Sequence, residues 1–262
     1  MQIKANDIIP QRQLHVFAPH YDDTLFMLGN WLFAARDQGW LEQVEVHVHQ
    51  IFSRSNYLAH HGALNLVTTK ERLQQASGTR LIEDLDCLDE LIGQAAYHYT
   101  LWGERECFVR QKAMSAQGME FPHGMREDFD DNDRAIYGRL LKRLAPYMAR
   151  PEAALIFPLA IREHIDHYLL REAAAELAPT AKAAVYFVED KPYAGHADAA
   201  EWGRIEAFVQ GLQEILIPAQ AHRMADMAFF HYQSQVDETY RQGLLDRAEQ
   251  LEGRDRLFLW QK

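Results

Sequence analysis

Short apolar runs alternate with longer segments of helical periodicity along this chain. The apolar runs have the length of buried strands, and the segments with apolar residues three and four positions apart have the period of helices. The strand-like runs are the one that ends at Ala18 and residues 44–52, 153–159, 183–188 and 256–261. The helical segments are residues 24–32, 78–92, 134–148, 168–177, 197–213, 220–232 and 236–251.

This alternation predicts an α/β fold. Strands that alternate with helices form a Rossmann-like, mostly parallel sheet with helices on both faces. We expect residues 256–261 to close the sheet as an edge strand. No repeat and no linker rich in Gly, Ser or Pro divides the chain, so residues 1–262 are predicted to form a single domain. Residues 57–78 fit neither period, and one interpretation of them is an insertion that covers the substrate.

Composition and charge narrow the functional classes. The chain has 262 residues, of which 48% are hydrophobic and 25% charged, and these are ordinary values for a globular protein. Its formal net charge of −11 argues against nucleic acid or an anionic membrane surface as the partner. No segment has the pattern of a signal peptide or the apolar length of a membrane span. We therefore expect a cytoplasmic protein, either monomeric or homo-oligomeric.

The first chemically informative motif follows the first strand. His20, Asp22 and Asp23 stand where an apolar run gives way to a helix. In an open α/β sheet, ligands bind at the carboxyl ends of the strands. A histidine and a carboxylate three residues apart can hold zinc, and a spare acid beside the metal can deprotonate water. An N-cap role for Asp22 or Asp23 is the alternative interpretation, so a metal site requires a third ligand elsewhere.

A second motif offers that ligand. His164, Asp166 and His167 follow another strand-like run, just before a helix. Residues three apart lie on one face of a helix, so His164 and His167 can both point into one site. His20, Asp23 and one of these two histidines would leave a position open for water. Three protein ligands with an open position are typical of catalytic rather than structural zinc.

Together the two motifs resemble those of the LmbE-like (PIG-L) family of zinc-dependent N-deacetylases. That family has Pro-His-Pro-Asp-Asp after its first strand and His-Pro-Asp-His much later in the chain. This sequence has Pro19-His20-Tyr21-Asp22-Asp23 and His164-Ile165-Asp166-His167. The resemblance implies one zinc ion and a small-molecule N-acylated substrate, commonly an N-acetyl amino sugar. Tyr21 and Ile165 replace the two motif prolines, which affects the shape of the pocket more than its chemistry.

The resemblance also implies a role for each motif residue. Asp22 would be the general base. His164 would stabilise the tetrahedral intermediate, and Asp166 would orient His164 and raise its pKa through its negative charge. If Asp22 must be ionised and His164 protonated, kcat/KM has a bell-shaped dependence on pH. The implied metal ligands are His20, Asp23 and His167.

Weaker similarities extend the match along the chain. Arg80 and Glu83 resemble an Arg-x-x-Glu helix near the family's substrate pocket. Tyr193 ends a stretch similar to the family's Tyr-Glu-Asp-x-Pro-Tyr. The resemblance therefore implies that Arg80, Glu83 and Tyr193 bind the substrate, Arg80 by anchoring a hydroxyl or anionic group.

Two other functions stay open. A hydrolase of a non-sugar amide or ester in secondary metabolism is the first, because Tyr21 and Val188 depart from the family pattern. A catalytically inactive binding protein on the same fold is the second. The complete set of ligands and base argues against the binding protein, which has no need for an unpaired acid beside three ligands.

Other histidines and the cysteines carry less information. His47 and His49 alternate along a predicted strand and share one face, which we interpret as a half-exposed strand face rather than a metal site. Cys87 and Cys107 stand apart from the His/Asp motifs, so they are not predicted to bind metal.

Overall fold

A seven-stranded sheet is the central element of the structure, a computed structural model that describes residues 4–93, 97–112, 114–115, 118–119 and 121–261. Its strands are β1 (Gln13–Ala18), β2 (Glu45–Gln50), β3 (Tyr97–Leu101), β6 (Ala153–Pro158), β7 (Ala184–Val188), β8 (Gln213–Pro218) and β9 (Arg254–Leu259). A separate two-stranded ribbon consists of β4 (Met114–Ser115) and β5 (Gly118–Met119). The helices are α1 (Ala5–Ile8), α2 (Asp23–Asp37), α3 (Lys70–Leu91), α4 (Asp131–Met148), α5 (Ile165–Leu177), α6 (Tyr193–His196), α7 (Ala199–Val209), α8 (Ala221–His231) and α9 (Glu238–Gln250).

The strand order is β3-β2-β1-β6-β7-β9-β8. The first five strands are parallel, and β9 is antiparallel to both of its neighbours. The predicted α/β class with a mostly parallel, Rossmann-like sheet is therefore confirmed.

Hydrophobic side chains cover both faces of the sheet. Leu14 and Val16 of β1 belong to a core that includes residues of α2, α3 and α8. Phe17, next in the strand, belongs to a second core with residues of α4 and α5. Successive side chains of a strand point to opposite faces, so β1 contributes side chains to both cores. Among the described helices, none combines the length and the apolar character needed to cross a bilayer.

The order of the strands reverses between β1 and β6. From β1 the chain proceeds outward to β2 and then β3, whereas β6 continues to β7 on the other side. Ligands of open α/β sheets bind at such a switch point, outside the carboxyl ends of the strands. Both His/Asp motifs begin there.

Three predicted elements differ from the structure. The helix predicted at 78–92 begins already at Lys70. The helix predicted at 197–213 ends at Val209, because Gly211 adopts a left-handed φ of 89° and β8 begins two residues later. The last strand is β9, which lies between β7 and β8, so its prediction as an edge strand was wrong.

Candidate metal centre and active-site cleft

Both motifs lie at the carboxyl edge of the sheet, one on each side of the switch point. His20 follows β1, and Asp23 is the first residue of α2. His164 is the N-cap residue of α5, and His167 lies in its first turn. The fold therefore brings into contact two histidines, His20 and His167, that are 147 positions apart.

Three donor atoms form a nearly regular triangle. His20 Nδ1 lies 3.2 Å from His167 Nε2 and 3.4 Å from Asp23 Oδ2, and His167 Nε2 lies 3.3 Å from the same oxygen. Donor atoms about 2.0 Å from a tetrahedral zinc ion are about 3.3 Å apart. The three side chains therefore fit one such ion. His164 brings a further ring nitrogen within 4.8 Å of those of His20 and His167.

Two carboxylates hold the histidine rings from the other side. Asp166 Oδ2 is 2.9 Å from His20 Nε2, and Asp190 Oδ1 is 2.7 Å from His167 Nδ1. Each ring thus turns its other nitrogen toward Asp23, an arrangement common around bound metals. No role was predicted for Asp190, although it lies in the stretch that resembles the family's Tyr-Glu-Asp-x-Pro-Tyr. Its position, two residues after β7 ends at the edge where both motifs lie, was a second signal.

The Asp166 carboxylate has other partners than the one expected. Its Oδ2 also accepts a hydrogen bond from the backbone N–H of Cys107 at 2.9 Å, and its Oδ1 is 2.7 Å from Arg110 Nη1. Its contact with His164 runs through the backbone, where the Asp166 N–H donates to His164 Nδ1 at 3.3 Å. The carboxylate therefore orients His20 rather than His164. Arg110 is a second residue that sequence analysis missed.

The charges around the triangle favour a cation. Burial lowers the pKa of His20, but hydrogen bonds to Asp166 and Asp23 outweigh burial and raise that pKa to about 10. Burial also lowers the pKa of His167, and the negative charges of Asp23 and Asp190 outweigh it and raise that pKa. Burial raises the pKa of Asp23, and the positive charges of the two histidines lower it below its ordinary value. Protons and a divalent ion would therefore compete for the same nitrogens.

Asp22 lies beside the triangle and is not one of its corners. Its Oδ1 is 3.6 Å from Arg80 Nη2. Burial, followed by the charge of Asp23, raises the pKa of Asp22 to about 6, against the opposing charges of Arg80 and His20. A carboxyl group with a pKa near neutrality is well suited to accept a proton and return it.

Arg80 is held by a buried network. Its Nη1 donates to Ser55 Oγ at 2.9 Å and to the two carboxylate oxygens of Glu106 at 3.0 and 3.1 Å. Its Nε donates to Gln235 Oε1. The guanidinium group therefore has a fixed position beside Asp22. Glu106 is a third residue of the site that the sequence did not reveal, because no motif surrounds it.

The surroundings of His164 favour its neutral form. Burial lowers its pKa well below the ordinary value, and the positive charges of His20 and His167 lower it further. The ring nitrogen Nδ1 accepts the hydrogen bond from the Asp166 N–H, which places the proton of a neutral ring on Nε2, 3.8 Å from Cys107 Sγ. His164 thus provides an N–H donor without being protonated, which differs from the charged imidazole that we expected.

A cleft of about 340 Å³ adjoins these residues, and His20, Asp22 and His164 contribute to its lining together with Arg80. The aromatic side chains in the lining are Tyr57, Phe108, Phe121, Tyr193 and Tyr240. A larger cavity of about 550 Å³, between Glu104 and α4, contains none of the motif residues. Size alone therefore does not identify the site.

Two of the three predicted substrate-binding residues line the cleft, and the third does not. Arg80 and Tyr193 line the cleft, and the ring of Tyr193 lies nearly parallel to that of His164 with centroids 6.2 Å apart. Glu83 is not among the residues that line it. Its carboxylate accepts hydrogen bonds from the backbone N–H and Oγ of Ser234 at 2.8 and 2.6 Å and from Gln235 Nε2 at 3.0 Å.

Comparisons with known proteins give structural matches only. No protein-family model matches the chain, and no curated protein matches it. A deacetylase from the biosynthesis pathway of teicoplanin is 18% identical with a TM-score of 0.59, over 94% of this chain and 97% of that one. The zinc-inhibited form of teicoplanin deacetylase Orf2 is 16% identical with a TM-score of 0.59, over 94% and 97%. The N,N′-diacetylchitobiose deacetylase from Pyrococcus horikoshii is 13% identical with a TM-score of 0.50, over 97% and 85%. At these identities the likeness establishes the fold.

Proposed function

We propose that this protein is a metal-dependent hydrolase that removes an acyl group, most simply acetyl, from the amine of an N-acylated amino sugar or a related conjugate. One observation carries the proposal: the triangle of His20, Asp23 and His167 donor atoms with the separate carboxylate of Asp22 beside it. Three ligands and a nearby base are what metal-assisted hydrolysis requires. The shared fold with deacetylases of teicoplanin and of N,N′-diacetylchitobiose supports the same class of reaction.

Zinc is the ion that we propose for this centre. Two imidazole nitrogens and one carboxylate oxygen suit zinc, although iron or another divalent ion can use the same donors. When bound, the ion would polarise the acyl oxygen as a Lewis acid and lower the pKa of water. His20, Asp23 and His167 would hold it, while Asp166 and Asp190 keep the two rings in position.

Asp22 is the proposed general base. With a pKa of about 6 it is mostly ionised at pH 7, so it can accept a proton from the water that attacks the acyl carbon. It then donates that proton to the departing nitrogen as the amide C–N bond breaks, which yields a carboxylic acid and a free amine. Arg80, 3.6 Å away, favours the ionised form of Asp22 before each turnover.

His164 is proposed to stabilise the oxyanion that forms on the acyl oxygen. Its Nε2–H is a donor from a buried, fixed ring at the cleft. A donor already in place when charge develops costs no reorganisation in the transition state.

The lining of the cleft supports a small substrate with a ring. A volume of about 340 Å³ is in the range of small-molecule pockets. Tyr57, Tyr193 and Tyr240 offer flat apolar faces with hydroxyl groups, and Arg80 offers a positive charge. We propose direct substrate contacts for Arg80 and Tyr193. For Glu83 we propose an indirect role through Gln235, which contacts both Glu83 and Arg80.

A substrate panel tests the proposal. Zinc-loaded protein would be incubated with N-acetylated amino sugars, their conjugates, other N-acylated small molecules and acyl esters, and the released amine or alcohol would be measured. We expect amine release from the sugar members. Release only from esters or non-sugar amides would instead support the alternative hydrolase.

Two variants complete this test. Asp22→Asn should lower turnover of any active substrate at least ~10²-fold. Asp37→Asn, which changes an exposed acid paired with Arg223, should leave turnover unchanged. Binding of panel members without turnover by zinc-loaded wild-type protein would contradict the proposal and favour a binding protein.

A further inference from the structure

A second cluster of ligating side chains lies on the sheet, away from the cleft. Glu45 and His47 belong to β2, and His98 belongs to the neighbouring strand β3. Glu45 Oε1 is 3.2 Å from His47 Nε2 and 3.4 Å from His98 Nε2, and the three donor atoms all lie within 4.8 Å of one another. The two distances from Glu45 Oε1 match those between donor atoms around a tetrahedral zinc ion, about 3.3 Å.

The backbone of the sheet creates this cluster. Glu45 and His47 are two residues apart on one strand, so their side chains leave the same face. His47 is paired in register with His98, and their rings stack at 4.7 Å with an interplanar angle of 17°. Two hydrogen-bonded strands therefore hold the three donors, and no rearrangement of a loop is needed to bring them together.

Residues of β1 support the cluster from the inner side. Gln13 Nε2 donates to Glu45 Oε2 at 3.4 Å, which leaves Oε1 for the histidines. The buried ring of His15 stacks on His47 at 4.4 Å. His15 Nδ1 contacts His49, but the other nitrogen, Nε2, is buried and has no hydrogen-bond partner within the described structure. An unpartnered buried nitrogen beside the cluster is unusual unless a ligand or its bound water satisfies it.

The cluster is accessible and chemically free to bind a cation. The side chains of Glu45 and His98 are 49% and 65% exposed, and that of His47 is 20% exposed. Over the described parts of the chain, neither Lys nor Arg lies within ion-pair distance of Glu45. The net charge of −11 further favours a divalent cation.

In contrast to the interpretation of His47 from the sequence, we propose that Glu45, His47 and His98 form a second metal site, which binds a divalent transition-metal ion such as zinc with water completing its coordination. Two imidazoles and one carboxylate select zinc, copper or nickel over magnesium or calcium. Glu45 and His47 lie at the amino end of β2, whereas the cleft lies beyond the carboxyl ends of the parallel strands. The two centres are thus on the order of 15 Å apart, at ~3.3 Å per strand residue. The second site does not depend on the proposed hydrolase activity.

Zinc titration calorimetry of metal-free protein at pH 7 tests the site. To isolate it, the candidate active centre is disabled with Asp23→Ala and His167→Ala. This double variant should still bind one zinc ion per chain. Adding His98→Ala should remove that binding or weaken it at least about tenfold. Mutating a residue that merely supports a metal ligand already lowers metal affinity about tenfold or more, and loss of the ligand itself should lower it at least as much. Glu45→Gln should have the same effect while keeping the side-chain shape.

His222→Ala is the matched control, since it removes an exposed histidine of α8 far from the cluster in sequence and should leave zinc binding unchanged. Circular dichroism would establish that each variant is folded. Zinc binding of unaltered affinity in the presence of His98→Ala, or no binding by the double variant before His98 is changed, would overturn the proposal. Wild-type protein should bind two zinc ions. If it binds only the ion that His98→Ala removes, that result counts against the proposed function alone and leaves the second site supported.

Discussion

At the residue scale, the adjacent acids Asp22 and Asp23 show how position separates two identical side chains. Burial and the charge of Asp23 raise the pKa of Asp22 to about 6. For Asp23, burial is outweighed by the positive charges of His167 and His20, which lower its pKa. One acid is therefore poised to exchange a proton, and the other stays anionic next to two nitrogen donors.

Asparagine substitutions should separate these two roles. Asn keeps the shape of Asp but cannot accept a proton at neutral pH. We expect Asp22→Asn to keep its zinc and lose at least ~10²-fold in kcat, the usual scale of general-base catalysis. Asp23→Asn should lose zinc as well as rate, because a neutral amide oxygen is a poorer ligand. Elemental analysis and steady-state kinetics on the best panel substrate measure both. Near wild-type turnover by zinc-loaded Asp22→Asn would show that another residue is the general base.

The pH dependence of kcat/KM follows from the same residues. Asp22 acts as a base only when ionised, so the rate should fall as the pH drops through about 6 and level off above it. His164 is already neutral in this range because burial lowers its pKa, so it should contribute no basic limb. This replaces the bell-shaped profile expected from the sequence. His164→Gln should lower the rate without moving the acidic limb. If the wild-type rate instead declines above neutral pH and this decline is absent from His164→Gln, His164 acts in its protonated form.

The sequence predicts the motif residues of the site and misses their supports. His20 and His164 stand in recognisable spacings directly after apolar strands. Glu106 and Arg110 are single polar residues without a diagnostic spacing, and their roles arise from tertiary contacts. Asp190 stands in the stretch similar to Tyr-Glu-Asp-x-Pro-Tyr, but only the folded chain shows that it holds His167. Only the folded chain shows that Asp166 faces His20 rather than His164.

At the element scale, a buried ion-pair network lies where β9 inserts between β7 and β8. Glu189, directly after β7, contacts Arg247 of α9 at 2.5 Å and Arg256 of β9 at 2.6 Å. One buried carboxylate thus joins a helix and an antiparallel strand to the end of a parallel one. No periodicity in the sequence encodes this link, which is why β9 was predicted at an edge.

Removing this carboxylate should destabilise the fold. Glu189→Ala leaves the guanidinium of Arg247, whose side chain is 7% exposed, without its partner, and loss of one member of a buried pair costs about 3–5 kcal/mol. Glu214 is the control, because it contacts the same Arg256 at 3.5 Å but its side chain is 47% exposed, whereas that of Glu189 is fully buried. Glu214→Ala should therefore cost at most about 1 kcal/mol. Urea unfolding measures both, and equal costs would show that the Glu189 network does not anchor β9.

Strand prediction succeeded in the interior of the sheet and failed at its edges. β1, β6 and β7 are buried almost throughout and appear as apolar runs. The edge strands β3 and β8 pair on one side only and are largely half-exposed or exposed. Polar residues interrupt β3, and the apolar run of β8 is only three residues long, Ile215–Ile217. Edge position removes the hydrophobic signal on which the prediction relies.

At the scale of the whole molecule, the candidate metal centre joins the two halves of the sheet. His20 and Asp23 come from the β1–α2 connection, and His167 comes from α5 after β6. Two hydrophobic cores share the same sheet, one on each face. We therefore propose that residues 1–262 unfold as a single domain, and that an ion at this centre stabilises the whole unit.

Metal removal should lower the melting temperature in one cooperative transition. An ion that binds only the folded state at about 1,000 times its Kd adds about 4 kcal/mol, which for a chain of this length shifts Tm by roughly 10 °C. Scanning calorimetry with and without zinc would be done on His98→Ala protein, so that the second proposed site does not contribute. Adding Asp23→Ala should abolish the shift, because the ligand triangle then lacks its only carboxylate corner. A zinc-dependent shift that survives both substitutions would place the stabilising ion elsewhere, and two separate transitions would divide the chain into more than one domain.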